Sequence, residues 1–319
     1  MVETPCQSGN RVRVGQKWHS KLRDDSHGGM TELLNEHLLK LSIRVVQALP
    51  SPNAVCAVGK AIGMLAYHIA RNWRKRAMDN LNLVFGGKLD AQRKLEMVKE
   101  NFKHMGCLVC EMGWDSVRHG LPLASWVRFH GLKHIDEALS LGNGVIIVTA
   151  HLGNFPLLCR SLRQLGYKLY PVIRMPSNRA AREALIMLMR QYDVGWIPTP
   201  PNTEAVKSCL RVLRRGEMVC LLVDRRAKGL ILNFLGLPAP TATGAAILHM
   251  RTGAPLLPAF ILRDGCRHDV FILPRMQFEL SGDYEADVRS ITQAINELLT
   301  EWILRRPEQW LWIHRRWRL

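Results

Sequence analysis

The chain has 319 residues, 47% of them apolar, so it can bury a sizeable core; its eight cysteines are too few and too scattered for a disulfide scaffold. Lysine and arginine number 44 against 27 acids, a formal net charge of +17. That excess calls for an anionic partner: nucleic acid, a membrane surface or an anionic substrate. The cysteines at 6, 56, 107, 110, 159, 209, 220 and 266 lie partly inside apolar runs, which predicts buried free thiols in a reducing compartment.

Residues 1–30 are polar and basic, with no apolar stretch of the kind a signal peptide requires, and are expected to form a mobile basic arm. A helix is expected from Thr31 to Pro50, where Leu33, Leu34, Leu38, Leu41 and Val45 fall near helical spacing. Pro50–Ala70 is apolar for about the length of a membrane span but is interrupted by Lys60. Arg71, Arg74, Lys75 and Arg76 follow it. An apolar helix ending in a basic cluster suits an element lying in an anionic leaflet, and equally a helix packed on the core. Residues 54–84 read as helical, Phe85-Gly86-Gly87 as a turn, and Asp90 as the cap of a helix, or pair of helices, running through Trp114. The expected organisation is a helical, membrane-associating region at 31–125 and an α/β domain at 126–319, forming one compact unit.

From about 127 the pattern alternates. Strands are predicted at 144–149, 168–173, 217–223, 230–235, 255–262 and 268–273. Helices are predicted at 134–141, 154–165, 178–192, 203–215, 243–252 and 285–305. This predicts an α/β fold: a mixed, largely parallel sheet covered by helices on both faces. In such sheets ligands bind at the carboxyl ends of strands.

At one such end stands His151, after the aliphatic run Val145–Val148 and on a turn made by Gly153 and Asn154. An imidazole there can take a proton from a hydroxyl and return it to a leaving group. The N–H groups of a helix starting near Asn154 would suit an oxyanion or phosphate. A carboxylate five positions on could orient the ring across one turn, but that position is Pro156. Asp224-Arg225-Arg226-Ala227-Lys228 follows another buried run, with three cations suited to an anionic substrate. Thr243 reads as an N-cap in a small-residue stretch, and Arg174 lies at the end of a third strand. The tail, Pro307–Arg318, interleaves tryptophan and arginine, which suits a membrane interface, nucleic acid, or core packing of Trp310. His104-x-x-Cys107-x-x-Cys110 has half the spacing of a metal site and no second pair, so no metal is expected. Neither a Walker A pattern nor a GxGxxG motif follows a strand.

Six stretches in order carry a resemblance. They are Arg76–Phe85, Thr149–Phe155, Leu222–Arg225, Phe234–Gly236 with Pro238–Thr241, Arg251–Pro258, and Gln309–Trp317. Over about 40–319 the chain resembles the bacterial lipid A biosynthesis acyltransferases, the lauroyl/myristoyl transferase family within the lysophospholipid acyltransferase superfamily. The resemblance implies an acyltransferase without cofactor that moves a fatty acyl chain from acyl carrier protein or acyl-CoA to a hydroxyl of a lipid A precursor or related anionic glycolipid. It also implies a place on the cytoplasmic face of the bacterial inner membrane, peripheral or N-terminally embedded, with no nucleic-acid partner. His151 maps onto the family's catalytic base and Pro156 onto its acid. Asp224 is the best named replacement for that acid. Gly153, Asn154, Arg174, Arg225, Arg226 and Thr243 are the expected substrate-binding residues. The alternative is a catalytically degenerate homologue that binds anionic lipid or acyl carrier without turnover.

Overall fold

A computed structural model describes residues 44–115, 125–200 and 202–317. The expected arm at 1–30, most of the helix at 31–50, and Cys6 lie outside these residues.

The organising strand is β2 (Val145–Thr149), in which every residue is buried. Its side chains alternate between two cores, as the two-residue period of a strand requires. Ile146 and Val148 enter one core with Val219, Phe260, Leu299 and the tail tryptophans Trp310 and Trp312. Val145 and Ile147 enter the other with Cys220, Ile261, Ile135 and Leu158. A strand apolar on both faces belongs at the centre of a sheet covered on both sides.

Seven strands form that sheet, in the order β1-β9-β8-β2-β5-β3-β4. They are β1 (Val127–His130), β2, β3 (Leu169–Arg174), β4 (Ile197–Thr199), β5 (Met218–Leu222), β8 (Leu256–Asp264) and β9 (Arg267–Ile272). Neighbours run parallel except β8 and β9, which form an antiparallel hairpin. Register sets the site: Thr149 pairs with Leu222, so residues two positions beyond each stand level at the carboxyl edge.

The strands β6 (Leu230–Phe234) and β7 (Leu237–Thr241) pair separately through a two-residue turn, with Leu235 and Gly236 both at positive φ. β7 was not predicted, because Pro238 and Pro240 speak against a strand. Counting outward from the turn, both prolines fall opposite residues of non-hydrogen-bonded pairs, where a missing N–H breaks no ladder bond. The sequence pattern also predicts no strand at the short β1 and β4. The predicted helices of the α/β region form within two residues of their expected ends.

The N-terminal helices are α1 (Pro52–Ile69), α2 (Arg71–Phe85) and α3 (Ala91–Asp115). The helical stretch expected at 54–84 consists of two helices, bent by 91° at Ala70. Arg74 donates to the Tyr67 carbonyl at 2.9 Å and lies over the Tyr67 ring, closing the end of α1 as basic residues do. α1 packs on α3 backbone to backbone: a Cβ at Gly63 would stand 2.2 Å from the Phe102 carbonyl oxygen. Its opposite face exposes Ile62, Leu65 and Ile69. Among the described residues no single helix is long and apolar enough to cross a membrane.

The remaining helices are α4 (Lys133–Leu139), α5 (Phe155–Gln164), α6 (Arg179–Gln191), α7 (Asn202–Arg214), α8 (Gly244–Thr252) and α9 (Tyr284–Arg305). Side chains of α4 and α5 enter one core, and those of α7, α8 and α9 the other.

Candidate active site

β2 delivers its chain to the sheet edge, and Gly153 turns it at once into α5. Gly153 has φ +59°, and a Cβ there would sit 1.8 Å from the Ile261 carbonyl oxygen, so the turn needs glycine for both conformation and space. Asn154 caps α5, its Oδ1 accepting the Leu157 N–H at 3.2 Å. Pro156 sits in the first helical turn, where a missing N–H costs nothing.

His151 is thereby held with its side chain 15% exposed against an Asp224 that is 1% exposed. Nδ1 of His151 lies 2.8 Å from Oδ1 of Asp224. The His151 backbone N–H donates to Oδ2 at 3.0 Å, and Nε1 of Trp310 donates to the same oxygen at 2.8 Å. Burial opposes ionisation of Asp224. The His151 charge and the three hydrogen bonds outweigh it and hold the carboxyl at about 2. An ionised Asp224 can only accept a hydrogen bond, so it holds the His151 proton on Nδ1 and leaves Nε2 as the acceptor. The Phe155 ring meets the imidazole edge-on at 4.8 Å between centroids.

The turn offers a ligand less than its sequence suggests. The Gly153 N–H donates to the Gln309 carbonyl at 3.1 Å, and Asn154 Nδ2 donates to Glu111 at 2.8 Å. Both residues spend their hydrogen bonds inside the protein and shape the turn. Pro156 has no N–H, and those of Leu157 and Leu158 are taken by Asn154. Among the described residues the first turn of α5 therefore presents the Phe155 N–H alone.

Arg225 and Arg226 follow Asp224 and are exposed at its rim. Arg174 ends β3, two strands from β2 and so about 10 Å away across the sheet. Thr243 occupies the N-cap position of α8 without a side-chain capping bond. Among the described residues, no hydrogen bond or ion pair joins Arg174 or Thr243 to His151 or Asp224.

Beneath the turn lies a buried ionic cluster. Glu111 receives both terminal guanidinium nitrogens of Arg263 and the Asn154 amide, with His268 Nε2 at 3.2 Å. Burial disfavours its charge, but His268 and Arg263 overcome that and hold Glu111 well below the usual carboxylate range. His104, two turns before Glu111 on α3, accepts from Arg263 Nε at 3.3 Å, while the Cys107 thiol donates to the Cys56 carbonyl. The His104/Cys107 spacing thus belongs to this seam of α3 and its packing on α1.

Of the three settings that suit the tail, the structure shows the core packing of Trp310. Trp310 and Trp312 are fully buried rather than set at an interface. Asn101 donates to the carbonyls of Glu308 and Trp310, and Asn80 to those of Trp312 and His314. Arg316 is completely buried against the Phe234 ring and donates to the Pro240 carbonyl and Thr241 Oγ1; burial brings it down to about 10. Burial, then Arg225, likewise brings His314 down to about 4, so it is neutral at physiological pH. The signal for this strap was present in Asn80, Asn101 and the tryptophans, but nothing in their spacing says that they meet.

Comparison with known proteins agrees with this architecture. Residues 30–319 match the family model for bacterial lipid A biosynthesis acyltransferases. The chain is 26% identical over 293 residues to the lipid A biosynthesis lauroyltransferase of Escherichia coli, covering 86% of this chain and 88% of that one. It is 24% identical over 286 residues to the palmitoleoyltransferase of the same organism, covering 85% and 86%. A phosphatidylinositol mannoside acyltransferase of Mycobacterium tuberculosis is 27% identical over 197 residues, covering 59% and 58%. With nearly its whole length matched from Met30 onward, the chain belongs to the bacterial lipid A biosynthesis acyltransferase family.

Proposed function

We propose that the protein is a membrane-associated O-acyltransferase that moves a fatty acyl chain from a thioester, on acyl carrier protein or coenzyme A, to a hydroxyl of a lipid A precursor or related glycolipid. The carrying observation is the pair His151–Asp224 at the carboxyl edge of adjacent parallel strands. Asp224 supplies from β5 the carboxylate that the family pattern takes from the position of Pro156.

Nε2 of His151 takes the proton of the acceptor hydroxyl as its oxygen attacks the thioester carbonyl. The new C–O bond gives a tetrahedral oxyanion, which the Phe155 N–H and the positive end of α5 face. Collapse breaks the C–S bond, and the departing sulfur takes the proton back from the imidazolium. Asp224 stays ionised and fixes the tautomer throughout. Arg225 and Arg226 bring positive charge to the rim for an anionic reactant. The exposed Ile62, Leu65, Ile69 and Trp73, next to the exposed Arg71 and Lys75, suit an anionic leaflet, for which we assign the cytoplasmic face of the inner membrane.

The test is transfer of a labelled acyl chain to membrane glycolipid from acyl carrier protein and from coenzyme A. Wild type is expected to transfer, and His151→Ala to fall to background. Equal background transfer by both, across the donors and acceptors named, would leave the binding-only homologue as the reading.

A further inference from the structure

Beside the dyad lies a cavity of about 470 Å³ to which no role has yet been given. Its lining joins three parts of the chain: Trp73 and Arg76 from α2, Arg225 from the loop after β5, and His314 and Arg315 from the tail. Three guanidinium groups thus face one space, and among the described residues its lining contains no carboxylate. Gathering like charges costs free energy in the empty protein, and an anion between them repays it.

One of these guanidinium groups and the His314 backbone are held in place. Arg76 donates to the Ile313 carbonyl at 3.3 Å, which fixes the guanidinium and leaves its other N–H groups for a ligand. The backbone of His314 is clamped by Asn80 at 2.8 Å. Its ring Nδ1 is buried and, among the described residues, has no hydrogen-bond partner. A neutral imidazole can donate one hydrogen bond to an anion without adding to the crowd of positive charge. Arg225 lines the cavity and directly follows Asp224 in the chain, so the cavity adjoins the dyad. Trp73, which is half exposed, brings an apolar ring to the same lining.

Resting on the acyltransfer reading, we propose that this cavity binds a phosphate group of one of the two reactants, gripped by Arg76, Arg225 and Arg315 with a hydrogen bond from His314. Planar guanidinium forks suit a phosphate better than they suit an uncharged sugar. Two reactants can bring that group: a phosphorylated glycolipid acceptor, or the phosphopantetheine arm of the donor. Either places the reacting hydroxyl or thioester next to His151 through an anchor outside the chemistry.

The experiment reads binding apart from turnover. The full chain in detergent micelles is titrated, with thermal unfolding as the readout, using a glycolipid phosphomonoester and the same lipid after phosphatase treatment. In parallel, acyl-CoA is compared with the acyl thioester of N-acetylcysteamine, which carries no phosphate. Wild type and His151→Ala are expected to prefer the phosphorylated member of one pair by about tenfold or more. Arg76→Gln and the exposed Arg315→Gln should each remove most of that preference and leave affinity for the unphosphorylated member unchanged. Preference within the lipid pair assigns the phosphate to the acceptor, and within the thioester pair to the donor. Absence of preference in both pairs, or a preference that survives in the Arg76→Gln/Arg315→Gln double variant, overturns the proposal. Transfer by His151→Ala at the wild-type rate would overturn the assigned base and leave the binding result standing.

Discussion

Replacing Asp224 by asparagine tests the dyad with almost no change of shape. The carboxylate accepts three N–H groups: His151 Nδ1 at Oδ1, and the His151 backbone and Trp310 Nε1 at Oδ2. An amide has one oxygen, and it satisfies most donors by taking the Oδ2 position. The NH2 group then faces Nδ1 of His151 and can only donate to it. That forces the proton onto Nε2, the atom that must accept from the substrate hydroxyl. In a serine-protease triad the equivalent change of tautomer lowers kcat by about 10⁴. General-base catalysis as a whole contributes about 10²–10⁴, and a loss in that range is expected here. KM for the acceptor should stay within a few-fold, because the binding surfaces are untouched. Stability gives a second reading. With its pKa lowered from 3.8 to about 2 on folding, Asp224 contributes about 2 kcal/mol that is present above pH 4 and lost as pH falls toward 2. Asp224→Asn should therefore lose stability at neutral pH and show a flatter acid limb in thermal unfolding. The assay is single-turnover acyl transfer, run beside an unfolding series from pH 2 to 7. A kcat within threefold of wild type, while His151→Ala falls to background, would refute the reasoning.

Trp310→Phe removes one donor to Asp224 and keeps the ring in the core; a drop in kcat of about 3–10-fold is expected with the fold intact by near-UV circular dichroism. Gly153→Ala forces a Cβ against the Ile261 carbonyl at positive φ, so a loss of about 3 kcal/mol or more in denaturant unfolding is expected; a loss below 1 kcal/mol would show that the turn is not tight. Glu111→Gln strands the buried Arg263 charge, and thermal unfolding should report about 3 kcal/mol of destabilisation.

The fold class and the central strand were legible in the sequence because they rest on local signals. Four aliphatics between turns specify a buried strand at 145–148, and the helices expected from 154 and from 285 begin within one residue of those positions. The missing elements are those whose signal is not local. β1 and β4 have four and three residues, too few for a period to show. β7 carries two prolines that only its partner makes harmless. The break at Ala70 comes where an apolar helix meets a basic one, a change of composition without a Gly or Pro to announce it. Among site residues, His151 and Asp224 are found in contact, whereas Arg174 and Thr243 have positions that fit a site edge without contacts that join them to it. The tail's pattern leaves membrane interface, nucleic acid and core packing of Trp310 open, because tryptophan beside arginine looks alike at a membrane and in a core; the structure shows the core packing. Only the asparagines that clamp its carbonyls distinguish the two, and they lie more than 200 residues away.

Moving the acid from the turn to the neighbouring strand changes what holds the dyad together. When base and acid share one turn, local backbone geometry alone sets their distance. Here His151 lies two residues beyond Thr149 and Asp224 two beyond Leu222, and those two residues are partners across the β2–β5 ladder. The Val223 N–H to the Thr149 carbonyl, at 3.1 Å, carries the pairing to the edge of the site. A slip of one residue would turn Asp224 toward the opposite face of the sheet. That slip would also move β5 out of the cores that β2 shares with it, so the packing that fixes the register also fixes the dyad. Trp310 closes the arrangement from a third direction, held by Asn101 on α3. In this chain the proposed catalytic pair therefore exists only in the assembled sheet with its tail in place, and Pro156 is free to serve the first turn of α5 instead.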